Sequence, residues 1–234
     1  LNTADHVATG DKPTAVAIFS LEMSKEAVGQ RLLLARARVS AWDSKSESYS
    51  AHLTRAVGDL KDTPIWVDDS AILTPLEIKA KARRLKTAEN IGFIIIDYLQ
   101  LVTVPGADGE YERISYASKS FKALAKELRV PVLVLSQFSR KTEERGGDMR
   151  PRDTDLKGSG SIEQDADLIL FIYHPWQYKG LRITPIGETE KTVPSENYAE
   201  LILSKQRSGP TGSIELMFHP EWTRFDNVSK REEV

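Results

Sequence analysis

The sequence predicts an α/β domain: a mostly parallel sheet flanked by helices, followed by a C-terminal β-hairpin. Three features carry that expectation. Short apolar runs without polar alternation recur at Ala15–Ser20, Ile65–Val67, Phe93–Ile96 and Val132–Leu135, as in strands buried on both faces. Stretches with helical apolar spacing separate them, and strand-helix alternation of this kind builds βαβ units with right-handed crossovers. Near the end, Leu201–Lys205 and Ser213–Phe218 flank Gly209-Pro210-Thr211-Gly212, a hairpin pattern.

In chain order, Leu1–Thr9 reads as the tail of a helix ending at Gly10. After the Ala15–Ser20 strand, Ser24 can cap a helix with Glu26 in its first turn and Val28, Leu32, Ala35 and Val39 near helical spacing. The polar stretch Asp43–Ser50 reads as a loop or mobile segment, His52–Leu60 as a shorter helix, and Ile65–Val67 as a strand closed by Asp68-Asp69. Thr74-Pro75-Leu76-Glu77 combines an N-cap, Pro at the first helical position and Glu three residues after the cap, a strong helix start. The basic run Lys79, Lys81, Arg83, Arg84, Lys86 on that helix reads as a solvated face, with nucleic-acid contact as the alternative.

After the Phe93–Ile96 strand, Pro105–Gly109 forms a polar loop. Glu110–Leu128 carries Ile114, Ala117, Phe121, Leu124, Ala125 and Leu128 on one stripe, a long amphipathic helix. Pro131 ends it before the Val132–Leu135 strand. Lys141–Asp155 is charged, glycine-bearing and aperiodic, and reads as a mobile loop. Lys157-Gly158-Ser159-Gly160 leads into Ser161-Ile162-Glu163-Gln164, a capping-box start for a short helix. Backbone amides at such a glycine-rich turn can meet phosphate, although Glu163 stands where a dinucleotide fingerprint needs its third glycine. Leu168–Tyr173 is a further apolar strand, and Phe225 lies in a last short one.

At 234 residues the chain can bury a full core. Its 32 Lys+Arg against 34 Asp+Glu give a net charge of -2, so any nucleic-acid contact must be a local patch. The absence of cysteine excludes disulfides, thiolate zinc sites and Cys nucleophiles. His6, His52, His174 and His219 lack metal-ligand spacing. No apolar stretch approaches the ~18 residues of a membrane span, and no signal pattern opens the chain; a soluble, cytoplasmic protein is expected.

The chemistry gathers where apolar strands run into polar groups: Glu22, Asp97 and Gln137. Beyond the carboxyl ends of strands is where ligands of open α/β sheets bind. Asp97, after four apolar residues, suits a Walker B aspartate holding the water shell of Mg²⁺ on a nucleoside triphosphate. Alone, it suits a strand stop and turn equally well.

The strings FSLEMS (Phe19–Ser24), IIIDYLQL (Ile94–Leu101), KALAKEL (Lys122–Leu128), VLSQFSR (Val134–Arg140), GSIEQDAD (Gly160–Asp167) and SKQRSGPTG (Ser204–Gly212) together resemble the C-terminal motor domain of DnaB-type replicative helicases, a hexameric branch of the RecA-like ATPases. They stand in family order across nearly the whole chain. The resemblance implies a RecA-like fold and an ATP-dependent helicase moving 5′ to 3′ on single-stranded DNA as a homo-hexamer, with primase and a helicase loader as partners. It makes Glu22 the carboxylate that polarises the attacking water, Asp97 the Mg²⁺ partner and Gln137 the γ-phosphate sensor. Arg207 becomes the arginine finger with Lys205 beside it, both entering a neighbouring subunit's ATP site. Lys157, Gly158, Ser159 and Gly160 become the DNA loop, although the family usually has Arg then Glu where this chain has Lys157 and Gly158.

The sequence contains no G-x-x-x-x-G-K-[ST] phosphate loop. In the family that loop lies just before the helix read at Leu1–Thr9. The expectation is therefore a single RecA-like motor domain over residues 1–234, truncated after the phosphate loop and without the family's N-terminal helical domain. Two other readings stay open: another RecA-branch ATPase of recombination or signalling, and a non-catalytic DNA-binding or ring-assembly module.

Overall fold

The structure, a computed structural model, describes residues 1–40, 49–138, 150–156, 159–175 and 196–228. Its first half is a parallel sheet in the order β2-β1-β3-β4, formed by β1 (Val16–Ser20), β2 (Ile65–Asp68), β3 (Phe93–Asp97) and β4 (Val132–Val134). In-register pairing sets Ser20 beside Asp97 and Phe19 beside Asp68. The non-alternating runs are explained by cover on both faces. Ala17, Phe19, Ile94 and Ile96 pack under α4 (Pro75–Glu89) and α5 (Glu110–Leu128), with Ile78, Ala82, Ile114, Phe121 and Leu124. Val16, Ile18 and Ile95 face α1 (Asn2–Thr9) and α2 (Lys25–Ala37), with Ala4, Ala8, Val28 and Leu32. Each large side chain buried in this way contributes about 1.5–3 kcal/mol.

The local signals work as expected at most boundaries. Ser24 Oγ accepts from Ala27 N at 3.2 Å at the start of α2. Thr74 and Glu77 complete a reciprocal capping box on α4. The helix expected at His52–Leu60 spans Tyr49–Lys61 (α3), so Tyr49 and Ser50, read as loop, are helical.

Three of the five basic residues on α4, namely Lys81, Arg83 and Lys86, bond to the chain's own groups, while Arg83 and Arg84 stay exposed as a solvated face requires. Lys81 Nζ lies 2.5 Å from Asp68 Oδ2 and donates to Ser70 Oγ at 3.0 Å. Burial alone would raise the Asp68 carboxyl, but these bonds outweigh it and hold Asp68 below its ordinary value. Arg83 forks onto Glu127 at 2.5 and 2.9 Å, and Lys86 donates to Ile91 O at 2.9 Å.

The C-terminal hairpin proves to be the centre of a separate antiparallel sheet, ordered β5-β6-β7-β8. It comprises β5 (Leu168–Tyr173), β6 (Tyr198–Gln206), β7 (Gly212–His219) and β8 (Arg224–Asn227). One face of β5 buries Ile169, Phe171 and Tyr173, while Leu168, Leu170 and Ile172 are exposed. The sheet meets the first half through Asn2 Nδ2, which donates to Phe225 O at 3.0 Å, and through an aromatic contact of Phe171 with Phe138.

The region read as a mobile loop ends in packed structure. Arg150 forks onto Glu200 at 2.7 and 3.1 Å, Ser204 Oγ donates to Asp153 at 2.7 Å, and Asp153–Asp155 forms a 3₁₀ turn. Leu156 bridges to Phe138. Asp155 and Leu156 are buried, so residues 150–155 of the stretch read as a mobile loop are packed, while 141–149 lie outside the described residues. Helix α6 (Ser159–Asp165) starts two residues before the predicted cap. Ser161 therefore lies inside the helix, its hydroxyl 2.6 Å from that of Ser115.

Candidate nucleotide site and its basic counterpart

Parallel strands bring Glu22, Asp97 and Gln137 to one edge of the sheet, just beyond the carboxyl ends of β1, β3 and β4. Asp97 is the last residue of β3, and its carbonyl accepts from Leu21 N at 2.8 Å, which carries the β1 pairing past the strand end. Glu22 follows at once on an exposed turn. That turn is braced by buried Ser20, whose Oγ donates to Met23 O at 2.7 Å and accepts from Met23 N at 3.3 Å. Asp69 fixes its other end by accepting from Lys25 N at 3.0 Å.

The electrostatics of this edge are unbalanced. Burial pushes the Asp97 carboxyl above its ordinary value and the charge of Glu22 pushes it further; Arg31 pulls the other way. Two neighbouring carboxylates, one half-buried, form a place where an added cation is favoured. No cluster of three or more His, Cys, Asp or Glu ligands occurs among the described residues. A cation that keeps most of its water asks only one or two carboxylates of the protein, and this donor set fits that case.

Gln137 is exposed, and its backbone amide donates to Gln100 Oε1 at 3.2 Å. Sequence reasoning passed over Gln100, Ser20 and Arg31. A polar side chain three residues beyond Asp97 and another ending an apolar strand were the available signals for the first two. The effect of Arg31 on Asp97 is visible only once α2 is placed.

Lys205 and Arg207 go elsewhere. Lys205 lies near the end of β6, paired with Ile169, and Arg207 opens the turn that follows. Both turn onto the C-terminal end of α6: Lys205 Nζ donates to Glu163 O, and Arg207 Nη2 to Gln164 O at 2.5 Å. Arg207 Nε is 3.3 Å from Asp167 Oδ1, and Lys122 pairs with the same carboxylate. The Lys122 hydrogen bond is the main cause that holds Asp167 below its ordinary value. None of the described hydrogen bonds or ion pairs joins Lys205 or Arg207 to Glu22, Asp97 or Gln137.

Of the predicted DNA loop, Lys157 and Gly158 lie outside the described residues. Ser159 and Gly160 open α6, and a Cβ at Gly160 would meet open space, so packing within the chain does not demand glycine there.

A parallel sheet covered on both faces, with acids and a glutamine at its carboxyl edge and an antiparallel extension behind it, defines a RecA-like α/β domain. The model of the DnaB-like helicase C terminal domain matches residues 1–227, and the chain belongs to that family. It is 40% identical over 237 residues to the replicative DNA helicase DnaB of Geobacillus stearothermophilus, covering 99% of this chain and 49% of that protein. With the replicative DNA helicase DnaC of Bacillus subtilis (strain 168) the identity is 39%, again over 99% of this chain and 49% of the relative. The chain thus spans about half the length of these relatives. Among solved structures, an isolated ATPase domain superposes with a TM-score of 0.80 at 34% identity, covering 92% of this chain and 75% of that one. A DnaB-like replicative helicase, solved with its interactions with primase, gives 0.82 at 32% identity, covering 97% and 55%.

Proposed function

We propose that this chain is the single motor domain of an ATP-dependent replicative DNA helicase, which hydrolyses ATP between the subunits of a homo-hexamer and moves 5′ to 3′ along single-stranded DNA. The observation that carries the proposal is the placement of Glu22 and Asp97 just past and at the ends of adjacent parallel strands, where the charge of Glu22 adds to burial in raising the Asp97 carboxyl.

Asp97 would hold Mg²⁺ through its water shell, and the ion would supply charge neutralisation to the nucleotide's phosphates. Glu22, exposed on its braced turn, orients the attacking water and accepts hydrogen bonds from it. Gln137 contacts the γ-phosphate and reports its loss. Because phosphoryl transfer is mostly positioning and charge stabilisation, these groups need only be held in place. Arg207, with Lys205 beside it, reaches the ATP of a neighbouring subunit. The loop Lys157, Gly158, Ser159, Gly160 tracks the DNA backbone with one basic side chain and backbone amides per subunit, which suits a chain of nearly neutral net charge. Lysine in place of arginine keeps the charge but loses the bidentate fork.

A primase and a helicase loader are the proposed protein partners. The first is supported by a similar DnaB-like replicative helicase, whose structure was described with its interactions with primase; the second follows from the family resemblance. No helix among the described residues is long and apolar enough to cross a membrane, and the proposed site of action is the cytoplasm.

The test is ATP hydrolysis by the full-length protein with and without single-stranded DNA, beside Glu22→Gln. Hydrolysis that DNA stimulates and Glu22→Gln removes is expected. Salt-sensitive DNA binding without hydrolysis would make the protein a binding module instead.

A further inference from the structure

The β3-β4 ladder stops short of Gln137. Its last backbone bonds run from Leu135 N to Ile96 O at 3.0 Å and from Leu99 N to Leu135 O at 2.9 Å. Beyond them, none of the described backbone hydrogen bonds ties Ser136 or Gln137 to β3 or the turn after it. The connection passes to one side chain. Gln100 sits in the 3₁₀ turn Leu99–Leu101, three residues after Asp97, and its half-buried carboxamide reaches across. Nε2 donates to Ser136 Oγ at 2.9 Å, and Oε1 accepts from Gln137 N at 3.2 Å.

We propose that Gln100 is a positioning residue: its carboxamide continues the ladder by one rung and locks the backbone of Gln137 to the strand that carries Asp97. The inference rests on the assignment of Gln137 to the γ-phosphate. An exposed side chain can be aimed at a phosphate only if its own backbone is fixed, and a misplacement of about 1 Å costs roughly a hundredfold in rate. A carboxamide suits the task because it donates and accepts at once. The same rung gives a route by which movement of Gln137, when the γ-phosphate leaves, acts on the end of β3.

The experiment is a double-mutant cycle on the full-length protein, read by single-turnover ATP hydrolysis so that slow variants remain measurable. Gln100→Met keeps the length and removes both hydrogen bonds; it is expected to lower the turnover rate roughly tenfold to a hundredfold with ATP binding little changed. In a Gln137→Ala background the same substitution is expected to cost nothing further, since it acts only through Gln137. Ser136→Ala removes one of the two bonds with little risk to folding, and is expected to show a smaller loss with the same non-additivity. If Gln137→Ala is slow but Gln100→Met and Ser136→Ala multiply its defect, the positioning role is overturned and the γ-phosphate assignment stands. If Gln137→Ala hydrolyses at the wild-type rate, both fall.

Discussion

The carboxyl edge of the parallel sheet and the basic pair on α6 carry opposite electrostatic states. At the edge, burial and the charge of Glu22 both raise Asp97, and the opposing pull of Arg31 is the weaker. At the other region, Lys205 and Arg207 donate to the carbonyls at the end of α6, and Arg207 shares Asp167 with Lys122. The first arrangement has a carboxylate whose charge is disfavoured, and an added cation would relieve it. The second is satisfied within one chain, and in the proposed mechanism it must exchange internal contacts for a neighbour's phosphate. Completing the edge is thus a matter of ligand binding, whereas engaging the basic pair is a matter of assembly.

Substitutions can break this contrast on either side. The largest effect is expected for Arg207→Ala: turnover falls on the order of 10³-fold or more, while nucleotide binding measured at equilibrium stays near wild type. Equal loss of both would place Arg207 in the cis site. Next comes the ion pair of Arg150 with Glu200, on the strand that also carries Lys205. Arg150→Met leaves the Glu200 carboxylate, 2% exposed, with only the Tyr198 and neighbouring contacts. Breaking one side of such a pair costs about 3 kcal/mol, to be read by denaturant unfolding, with the parallel sheet keeping its native register.

The smallest effect has the opposite sign. The raised Asp97 carboxyl means that the folded chain holds this proton more tightly than the unfolded chain, whose Asp titrates near 3.8. The ionised form therefore weakens folding as pH rises through that range, and the penalty is absent below it. Asp97→Asn should raise the melting temperature slightly at pH 7 while abolishing hydrolysis, and the difference should close as pH falls toward about 3.8. A lower melting temperature at pH 7 would show that the carboxylate is compensated after all.

Much of this contrast was legible in the residues. Non-alternating strands ending in Glu22, Asp97 and Gln137 announce a parallel sheet with a polar edge, because burial on both faces removes polar positions until the strand ends. The Thr74 capping box and the helix Glu110–Leu128 were readable because caps and apolar stripes are local. What escaped depends on pairing at a distance. The run Leu168–Tyr173 is apolar on both faces, so its exposed face and antiparallel partner leave no mark in its pattern. Arg150 and Glu200 each look like ordinary surface residues until β6 brings them together. Gln100 is a single amide in an apolar stretch, and its role is visible only from the end of β4. Lys205 and Arg207 could be placed on a hairpin, but not on α6.

Subunit mixing tests the division between edge and basic pair most directly. Full-length Glu22→Gln and Arg207→Ala proteins, each inactive alone, are combined, allowed to exchange subunits, and assayed for ATP hydrolysis with single-stranded DNA present. Hydrolysis is predicted to return in the mixture, because some interfaces then join an intact Glu22 on one subunit to an intact Arg207 on the next. A mixture that exchanges subunits yet stays as inactive as either variant would contradict the account, and would put both residues in the service of the same chain's nucleotide.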